Sequence, residues 1–485
     1  MTTPLPLPKS LTYTSNDLWP LEGTVCAECE AFTPAARALC DAMQRTYGMY
    51  ARLTANAESF SYVNEQGARI IFRHQEMTGE AYRVESREGV AVTYASTLDG
   101  AAHAASALFQ MIQMDERRAL LAEFTIEDAP DVSWRGVMLD LARNYFPLAA
   151  LLRTVDLCWL TRCNRLHLHF ADGPIYRLPS KAYPKIVSPD AYTKEEIGYL
   201  TQYADARGVM VIPEIEMPGH ASAFTKAYPE LFANAGNPAR DDAVCAGKPG
   251  VFERLEQVLR EVAELFPGSP YLHIGGDEVS TRLWADCEDC VAYMKGEGVA
   301  DAHALYAHFI EKLTKSVVTI GKTPIVWEGF PAEGSENIPR ETIVMEFESL
   351  YQTAPELLDA GFRLVNTAWK PLYVLPQATH CPSASPASIY AWNMYRWENW
   401  FPKSRAYPHG IEVEPTDRVL GAQICMWEGN DIVTRKAVRE ALFALAERLW
   451  NVERRVDFDS FWLAASSALS RCAPIKELPT EYMLE

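Results

Sequence analysis

The chain has 485 residues, of which 48% are hydrophobic and 11% aromatic, so it can build a large core in two or three units. Its formal charge of -19 excludes a surface made for nucleic acid or an anionic membrane, since both require clustered Lys and Arg. The N-terminus lacks a basic segment followed by an apolar run, and no apolar stretch is long enough to span a bilayer. We therefore expect a cytoplasmic protein.

The first part of the chain, residues 1–130, is predicted to form a small α+β domain. Its run YRVESREGVAVTYAS, from Tyr82, alternates like paired strands, and LDGAAHAASALFQMIQM, from Leu98, has the period of a helix.

Residues 131–452 carry eight short β-rich runs, with helical segments between most of them. The runs are VMLDLA from Val137, RLHLHF from Arg165, VMVIPEIE from Val209, YLHIGGDE from Tyr271, TPIVWEG from Thr323, TIVMEFES from Thr342, RLVNTAW from Arg363 and VLGAQICMWE from Val419. Strands that alternate with helices imply a parallel sheet, and eight such units predict an α/β fold of the (β/α)8 TIM barrel type. Residues 376–417 are predicted to be a substrate-covering loop, and residues 453–485 a helical tail packed on the barrel.

Eleven cysteines include two Cys-x-x-Cys pairs, Cys26 with Cys29 and Cys287 with Cys290. The pairs lie too far apart in the chain for a zinc ribbon, and the second stands in an acidic stretch typical of a helix surface. We therefore predict reduced, structural cysteines and no bound metal.

Unusual polar and aromatic residues stand where the eight predicted strands end, which is where TIM barrels place their active sites. In chain order they are Arg143, His169 with Asp172, Glu214 with Glu216 and His220, Asp277 with Glu278, Trp327 with Glu328, Glu346 with Glu348, Trp369 with Tyr373, and Trp427 with Glu428. Tryptophan rings cover the C–H faces of sugars, while carboxylates and Arg take their hydroxyls. The set therefore favours a neutral, polyhydroxylated ligand.

The adjacent acids Asp277 and Glu278 are the most informative pair. They follow a strand and two glycines, Gly275 and Gly276, which permit the bend that both side chains need to reach one ligand. Two carboxylates that share a pocket cannot both ionise easily, so one is expected to be held protonated and ready to act as a general acid.

Four segments, WRGVMLDLARNYFP, NRLHLHFADG, VIPEIEMPGHA and HIGGDEV, resemble in order and nearly in spelling the family 20 glycoside hydrolases, the β-N-acetylhexosaminidases. The resemblance extends to the small N-terminal domain through VAVTYASTLDGAAHAASALFQMIQ. It implies an exo-acting enzyme that removes terminal β-linked GlcNAc, GalNAc or both, with retention and without metal or cofactor. The 2-acetamido group of the substrate would be the nucleophile, and an oxazolinium ion the intermediate.

The resemblance also implies a role for each matching residue. Glu278 would be the general acid/base, Asp277 would orient and stabilise the acetamido group, and Tyr373 would donate a hydrogen bond to the acetamido oxygen. Arg143 would hold sugar hydroxyls. The pocket walls would be Trp327, Trp369 and Trp427, and the supporting residues His220, Asp172 and His169.

The chain also departs from the family pattern. Gly173 follows Asp172 where many members have a second acid, and Leu375 stands where an Asp is common. Trp427 is followed directly by Glu428, which we expect to supply the missing carboxylate from a shifted position. Phe347 and Glu348 stand where an aromatic wall is typical. These differences concern the far hydroxyls of the sugar, so the preference for the gluco or the galacto epimer stays open.

Two other functions are compatible with the same residues. His167 and His169 form an H-x-H pair that, with His220, His273 and Asp277, is reminiscent of metal-dependent amidohydrolases. A non-catalytic sugar-binding barrel is the second, although both acids are present. As partners we expect an oligosaccharide, neither nucleic acid nor membrane, and at most a second copy of the chain in a homodimer.

Overall fold

The computed structural model describes residues 2–21, 24–55, 70–115, 118–234, 242–376, 384–453 and 456–471. Within these ranges no helix is both long enough and apolar enough to cross a membrane.

In its described residues, the N-terminal region forms one mixed sheet of eight strands with two helices packed on it. Its strands are Ser10–Pro20, Thr24–Ala27, Arg52–Ala55, Ile70–His74, Tyr82–Arg87, Val90–Ala95, Gln113–Asp115 and Arg118–Asp128. Its helices are Thr33–Tyr47 and Leu98–Met111, with a 3-10 turn at Glu30–Phe32. Burial alternates along Tyr82–Arg87, as expected for a sheet with one face turned to the core. The predicted small α+β domain is confirmed.

Eight parallel strands close into a barrel, because the seventh strand pairs with both the sixth and the eighth, and the eighth also pairs with the first. The strands are Trp134–Asp140, Arg165–His169, Met210–Glu214, Tyr271–His273, Thr323–Trp327, Ile343–Glu346, Arg363–Asn366 and Val419–Met426. Every residue of the first strand is buried, as in parallel sheets that are covered on both faces. All eight predicted strands are present, and the TIM barrel is confirmed.

Helices surround the barrel and turn one apolar stripe toward it. In Val251–Leu265 the buried residues include Leu255, Val258, Leu259 and Val262, which follow the helical period. The other helices are Leu148–Thr161, Lys194–Asp205, Ser222–Ala227, Pro229–Phe232, Thr281–Ala285, Glu288–Glu297, Ala302–Thr319, Ala354–Asp359, Trp369–Leu372, Pro386–Ala391, Asp431–Val433, Arg439–Trp450 and Phe458–Arg471. Three 3-10 or π turns lie at Pro184–Ile186, Ser335–Asn337 and Thr434–Val438. Short strand pairs lie at Ala171–Asp172 with Ile175–Tyr176 and at Arg396–Trp397 with Ile411–Glu412, and Tyr373–Val374 adds to the eighth barrel strand.

The segment predicted as a loop over 376–417 is largely folded in its described part, 384–417. It carries the helix Pro386–Ala391 and an antiparallel strand pair, because its apolar residues Ile389 and Trp397 are buried. Tyr390 stacks on Phe461 of the C-terminal helix with ring centroids 4.5 Å apart. The segment is therefore an insertion packed on the barrel; residues 377–383 lie outside the described residues.

Cys287 and Cys290 correct a second expectation. Both side chains are fully buried, not placed on a helix surface, because their helix begins against the loop that contains Cys245.

The small domain and the barrel are joined through the buried carboxylate of Asp128. Its Oδ2 accepts hydrogen bonds from the guanidinium of Arg162 at 2.6 Å and the hydroxyl of Tyr82 at 2.8 Å. Its Oδ1 accepts from the indole N–H of Trp450 at 2.8 Å and the backbone N–H of Lys9 at 3.0 Å. The Arg162 guanidinium also lies over the Trp450 ring, 4.8 Å from its centroid. One charge pair therefore connects the last long strand of the small domain with the first and last helices of the barrel.

Replacing Asp128 by Ala should destabilise the whole protein, because the fully buried Arg162 would lose its partner. We expect the free energy of unfolding to fall by about 3–5 kcal/mol, which calorimetry would register as a lower Tm. Asp286→Ala, in an exposed pair with Arg282, is the matched control and should leave Tm almost unchanged. An unchanged Tm for Asp128→Ala would contradict the role of this pair.

Candidate active site

A cavity of about 230 Å³ opens at the C-terminal ends of the barrel strands. It is lined by Arg143, His169, Asp172, Glu216, His220, Asp277, Glu278, Phe347, Trp369, Tyr373, Leu375, Trp400, Trp427 and Glu428. Every residue to which the sequence assigned an individual role lines this cavity except Trp327, whereas the strand-end acids Glu214, Glu328, Glu346 and Glu348 do not line it.

Two glycines bring Asp277 and Glu278 into this cavity. Gly275 and Gly276 have φ angles of 73° and 107°, which favour glycine, and Glu278 itself has a φ of 50°. A Cβ atom on Gly275 would lie 2.1 Å from the carboxyl carbon of Glu216, so no larger residue fits there. The strand therefore ends in a turn that presents both acids while Glu216 packs against its backbone.

Glu216 and Asp277 form a pair of neighbouring buried carboxyl groups. Burial, the Asp277 charge and the Glu214 charge raise the pKa of Glu216 well above its usual range. Burial also raises the pKa of Asp277, to about 7, with help from Glu278 and Glu214 and against the effect of His220. Because Glu216 is the more deeply buried of the two, the proton that they share resides mainly on it and leaves Asp277 as the carboxylate.

His220 connects Glu278 with Asp172. Its Nε2 lies 3.1 Å from Glu278 Oε2, and its Nδ1 lies 3.4 Å from Asp172 Oδ1. Hydrogen bonds to these two carboxylates outweigh burial and raise the pKa of His220 to about 11. His220 is therefore a cation held between two anions, and it has a φ of 49° at the end of its strand.

Asp172 is the meeting point of three cationic groups. Besides His220, its carboxylate accepts from Arg143 at 2.7 Å and lies 3.1 Å from His169 Nε2. Burial alone would raise the pKa of Asp172, but the bonds from His169 and His220 lower it far below its usual range. Asp172 is thus a permanent anion at neutral pH that fixes the orientation of His220 and Arg143.

The pKa of Glu278 differs from the sequence-based expectation for a general acid. It is lowered, first by the hydrogen bond from His220, which outweighs the opposite effect of burial on this half-exposed side chain. Asp277 and not Glu278 is the acid with the raised pKa. Glu278 can become a proton donor when a ligand covers it, since loss of water favours the neutral carboxyl group.

Glu214 lies below the cavity and pairs with three histidines. Its Oε2 is 2.5 Å from His169 Nδ1 and 3.0 Å from His167 Nε2, and its Oε1 is 3.2 Å from His273 Nδ1. Burial alone would lower the pKa of His169, but the charge of Glu214 raises it to about 10. Burial lowers the pKa of His273 to about 3.

This cluster does not favour the amidohydrolase alternative. The indole N–H of Trp327 donates to Glu214 Oε1 at 2.5 Å, and an indole N–H offers no lone pair to a metal. Trp327 and His273 therefore both contact Glu214 Oε1, the oxygen that a metal cation would need as a ligand. The H-x-H pair belongs to a hydrogen-bonded core that carries the cavity floor.

Aromatic rings form the walls. Trp369 and Trp400 stack with ring centroids 4.7 Å apart, and Tyr373 lies parallel to Phe347 at 6.3 Å. Burial raises the pKa of Tyr373 well above its usual range, so its hydroxyl stays protonated and can donate. Trp327 does not line the cavity as predicted: it is 1% exposed and packs behind Trp427, 5.8 Å between centroids.

Arg143 follows the first barrel strand and Glu428 follows the eighth, so both lie on the same side of the cavity. Asp140 holds both: its Oδ2 lies 3.1 Å from the Arg143 guanidinium and accepts from the Glu428 backbone N–H at 3.1 Å. The Arg143 guanidinium also covers the Trp427 ring at 5.3 Å.

Trp400 is a cavity residue that the sequence did not predict, and Glu216 was predicted at a strand end without an individual role. Glu216 stands two residues after Glu214 in the same strand-end run, a spacing that indicates two acids at one edge. Trp400 lies in the Trp-rich stretch before Phe401, whose composition was the available signal. Because Trp400 is far in sequence from any strand end, its position beside Trp369 could not be predicted.

The model of the family described as "Glycosyl hydrolase family 20, catalytic domain" matches residues 132–453. The chain belongs to glycosyl hydrolase family 20.

Two β-hexosaminidases are similar to the chain over most of its length. A β-hexosaminidase of Porphyromonas gingivalis is 27% identical over 96% of this chain and 63% of its own. One of Vibrio furnissii is 30% identical over 69% of this chain and 58% of its own. The chain thus spans about three fifths of the length of these relatives.

Solved structures of family 20 share the fold. An exo-β-N-acetylglucosaminidase of Vibrio harveyi, in complex with N-acetylglucosamine, superposes with a TM-score of 0.81 at 22% identity, over 98% of this chain and 78% of that one. A β-N-acetylhexosaminidase of Bacteroides fragilis gives the same TM-score and identity over 98% and 96% of the two chains.

Glu328 directly follows the fifth strand of this family 20 barrel and allows a test of how burial changes the pKa of a carboxyl group. It is 1% exposed; Oε1 accepts from the backbone N–H groups of Tyr351 and Gln352, and Oε2 has no hydrogen-bond partner among the described residues. Burial raises its pKa from near 4.5 to about 7, against those backbone bonds.

A raised carboxyl pKa stabilises the fold at low pH, and this contribution is lost as pH rises from about 4.5 to about 7. Glu328→Gln should remove the loss, so the free energy of unfolding of the variant should gain on that of the parent across this window, by at most about 1.4 kcal/mol per pH unit, and its Tm should rise relative to that of the parent. Thermal denaturation at several pH values measures it. The exposed control Glu341→Gln should follow the parent; parallel curves for Glu328→Gln would refute the shift.

Proposed function

We propose that the chain is an exo-β-N-acetylhexosaminidase that removes terminal β-linked GlcNAc or GalNAc with retention, using the 2-acetamido group of the substrate as nucleophile. The observation that carries the proposal is the turn that presents Asp277 and Glu278 together inside an aromatic cavity. Adjacent acids suit this chemistry, because an enzymic nucleophile is not required on the other side of the sugar ring. The names of the two curated relatives support it.

In the first step Glu278 gives a proton to the glycosidic oxygen while the acetamido oxygen attacks the anomeric carbon, and the bond between that carbon and the glycosidic oxygen breaks to release the aglycone as an alcohol. The imidazolium of His220, 3.1 Å away, is the group that can supply Glu278 with this proton once the sugar has displaced water. In the second step Glu278 takes a proton from water, which opens the oxazolinium ion at the anomeric carbon with net retention.

Asp277 and Tyr373 act on the acetamido group. Asp277 accepts a hydrogen bond from its N–H and stabilises the positive charge that develops there, because Glu216 holds the shared proton. The protonated hydroxyl of Tyr373 donates to the acetamido oxygen and aligns it for attack. The parallel rings of Tyr373 and Phe347 and the stacked pair Trp369 and Trp400 close the pocket around the group.

Glu278→Gln and Asp277→Asn should separate the two roles. Glu278→Gln should lower kcat/KM by about 10²–10⁴-fold on N-acetyl glycosides with poor leaving groups, yet far less on dinitrophenyl glycosides, which leave without a proton. Asp277→Asn should impair all N-acetyl glycosides alike, because every leaving group requires the acetamido step.

The measurement is a comparison of aryl and alkyl β-GlcNAc, β-GalNAc and β-glucoside hydrolysis by each variant. The exposed Glu333→Gln serves as the control and should behave like the parent. Cleavage of β-glucosides, or equal losses for both variants on every leaving group, would exclude the mechanism.

Glu428 and Arg143 would bind the hydroxyls of the terminal sugar. Glu428→Gln weakens one hydroxyl acceptor and should lower kcat/KM on both N-acetyl sugars by about 10-fold while changing the GlcNAc to GalNAc ratio. Leu375, in the same cavity, offers no carboxylate, so Glu428 carries this recognition. An unchanged ratio and rate would place the hydroxyl contacts elsewhere.

The cytoplasmic location of the protein and its assembly as a homodimer stay predictions.

A further inference from the structure

Three cysteines from two distant parts of the chain meet in a buried cluster beside the active-site loops. Cys245 Sγ lies 3.6 Å from Cys287 Sγ and 3.4 Å from Cys290 Sγ, and all three side chains are fully buried. A disulfide requires about 2.05 Å. Three thiolates on one tetrahedral zinc ion, at about 2.3 Å each, lie about 3.8 Å apart. The separations are close to the second value and far from the first.

A fourth donor atom lies in the right place. Asn234 Oδ1 is 3.7 Å from Cys290 Sγ, and the Asn234 side-chain amide donates to the backbone oxygen of Ala243 at 2.7 Å, which fixes the direction of the oxygen. Sulfur and oxygen ligands of one tetrahedral zinc ion are separated by about 3.6 Å. The Asn234 oxygen therefore lies at a ligand-to-ligand distance from Cys290 Sγ, beside the three-sulfur cluster.

The backbone around the cluster is built to hold thiolates. Gly247 donates its N–H to the sulfurs of Cys245 and Cys290. A Cβ atom on Gly247 would lie 2.2 Å from the backbone oxygen of Asp289, so only glycine allows this close approach. Cys287 is the N-cap of the helix Glu288–Glu297 and Cys290 lies in its first turn, where the helix dipole favours negative charge.

We propose that Cys245, Cys287, Cys290 and Asn234 bind one Zn²⁺ ion with a structural role. This proposal replaces the sequence-based expectation that the cysteines bind nothing. Cys245 follows the third barrel strand in the segment that carries His220, and Cys287 and Cys290 follow Asp277 and Glu278. The metal would thus join the two loops whose side chains meet in the contact between His220 and Glu278.

Other bonds between the loops support this arrangement. Trp284 donates its indole N–H to the backbone oxygen of Val244 at 2.9 Å, which joins the two loops. Within the first loop, Val244 donates its backbone N–H to the backbone oxygen of Pro218 at 2.8 Å. A Cβ atom on Gly219 would lie 2.9 Å from the backbone oxygen of Asp277. The loops are in direct contact, so a cross-link at the cysteines restricts both.

The test is the metal content of the full chain, purified without a metal-binding tag under reducing conditions and incubated with Zn²⁺. Elemental analysis after removal of free ions should find about one zinc per chain. Co²⁺ exchanged into the same protein should give the intense thiolate-to-metal charge-transfer absorption and the visible bands of a tetrahedral site. This spectrum is recorded on the parent chain and does not depend on whether a variant folds.

Cys290→Ala should lose the zinc and the cobalt bands, whereas Cys158→Ala, at another fully buried cysteine, should keep both. Zinc removal should lower Tm in the parent and not in Cys290→Ala. A parent chain that binds no metal, a mass about 2 Da low from a disulfide, or full zinc content in Cys290→Ala would overturn the site. Metal content is measured without substrate. A parent chain that binds no zinc yet cleaves aryl β-GlcNAc would therefore refute the zinc site and leave the proposed hydrolase activity standing.

Discussion

The central constraint on this molecule is the gathering of carboxylates at one end of its barrel, where little water can solvate them. Asp172, Glu214, Glu216 and Asp277 lie within a few residues of the strand ends, and Glu278 is beside them. A buried carboxylate needs a cation, a shared proton or hydrogen-bond donors. Glu214 pairs with His169 and accepts a hydrogen bond from the indole of Trp327. Asp172 pairs with Arg143, His169 and His220. Glu216 and Asp277 share one proton.

This charge arrangement explains how one site can hold an acid and a carboxylate side by side. Asp277 remains an acceptor because Glu216, behind it, takes the proton. Glu278 is an anion only while water and His220 surround it, so its acidity depends on ligand binding. The two residues differ in exposure and in partners, not in chemical type, and that difference separates their roles.

The sequence predicted much of this architecture and missed the parts that depend on distant contacts. Strand and helix periodicity is local, so all eight barrel strands and the small domain were predicted correctly. The lowered pKa of Glu278 results from His220, whose approach depends on a separate loop. Trp327 follows the pattern of a wall residue, yet the buried Glu214 draws its N–H inward. Cys287 and Cys290 stand in an acidic stretch, and only the fold shows that Cys245 buries them.

The network of charges also explains how the proposed site would stabilise the transition state more than the bound substrate. With Glu216 neutral, the carboxylates of Asp172, Glu214, Asp277 and Glu278 outnumber the cations His169, His220 and Arg143, so the site keeps an excess of negative charge. A neutral sugar gains little from that charge, whereas an oxazolinium ion gains directly, since its positive charge develops beside Asp277. Interactions that strengthen only as charge develops lower the barrier without tightening the ground state. The aromatic walls then supply binding, and the carboxylates supply the difference between substrate and transition state.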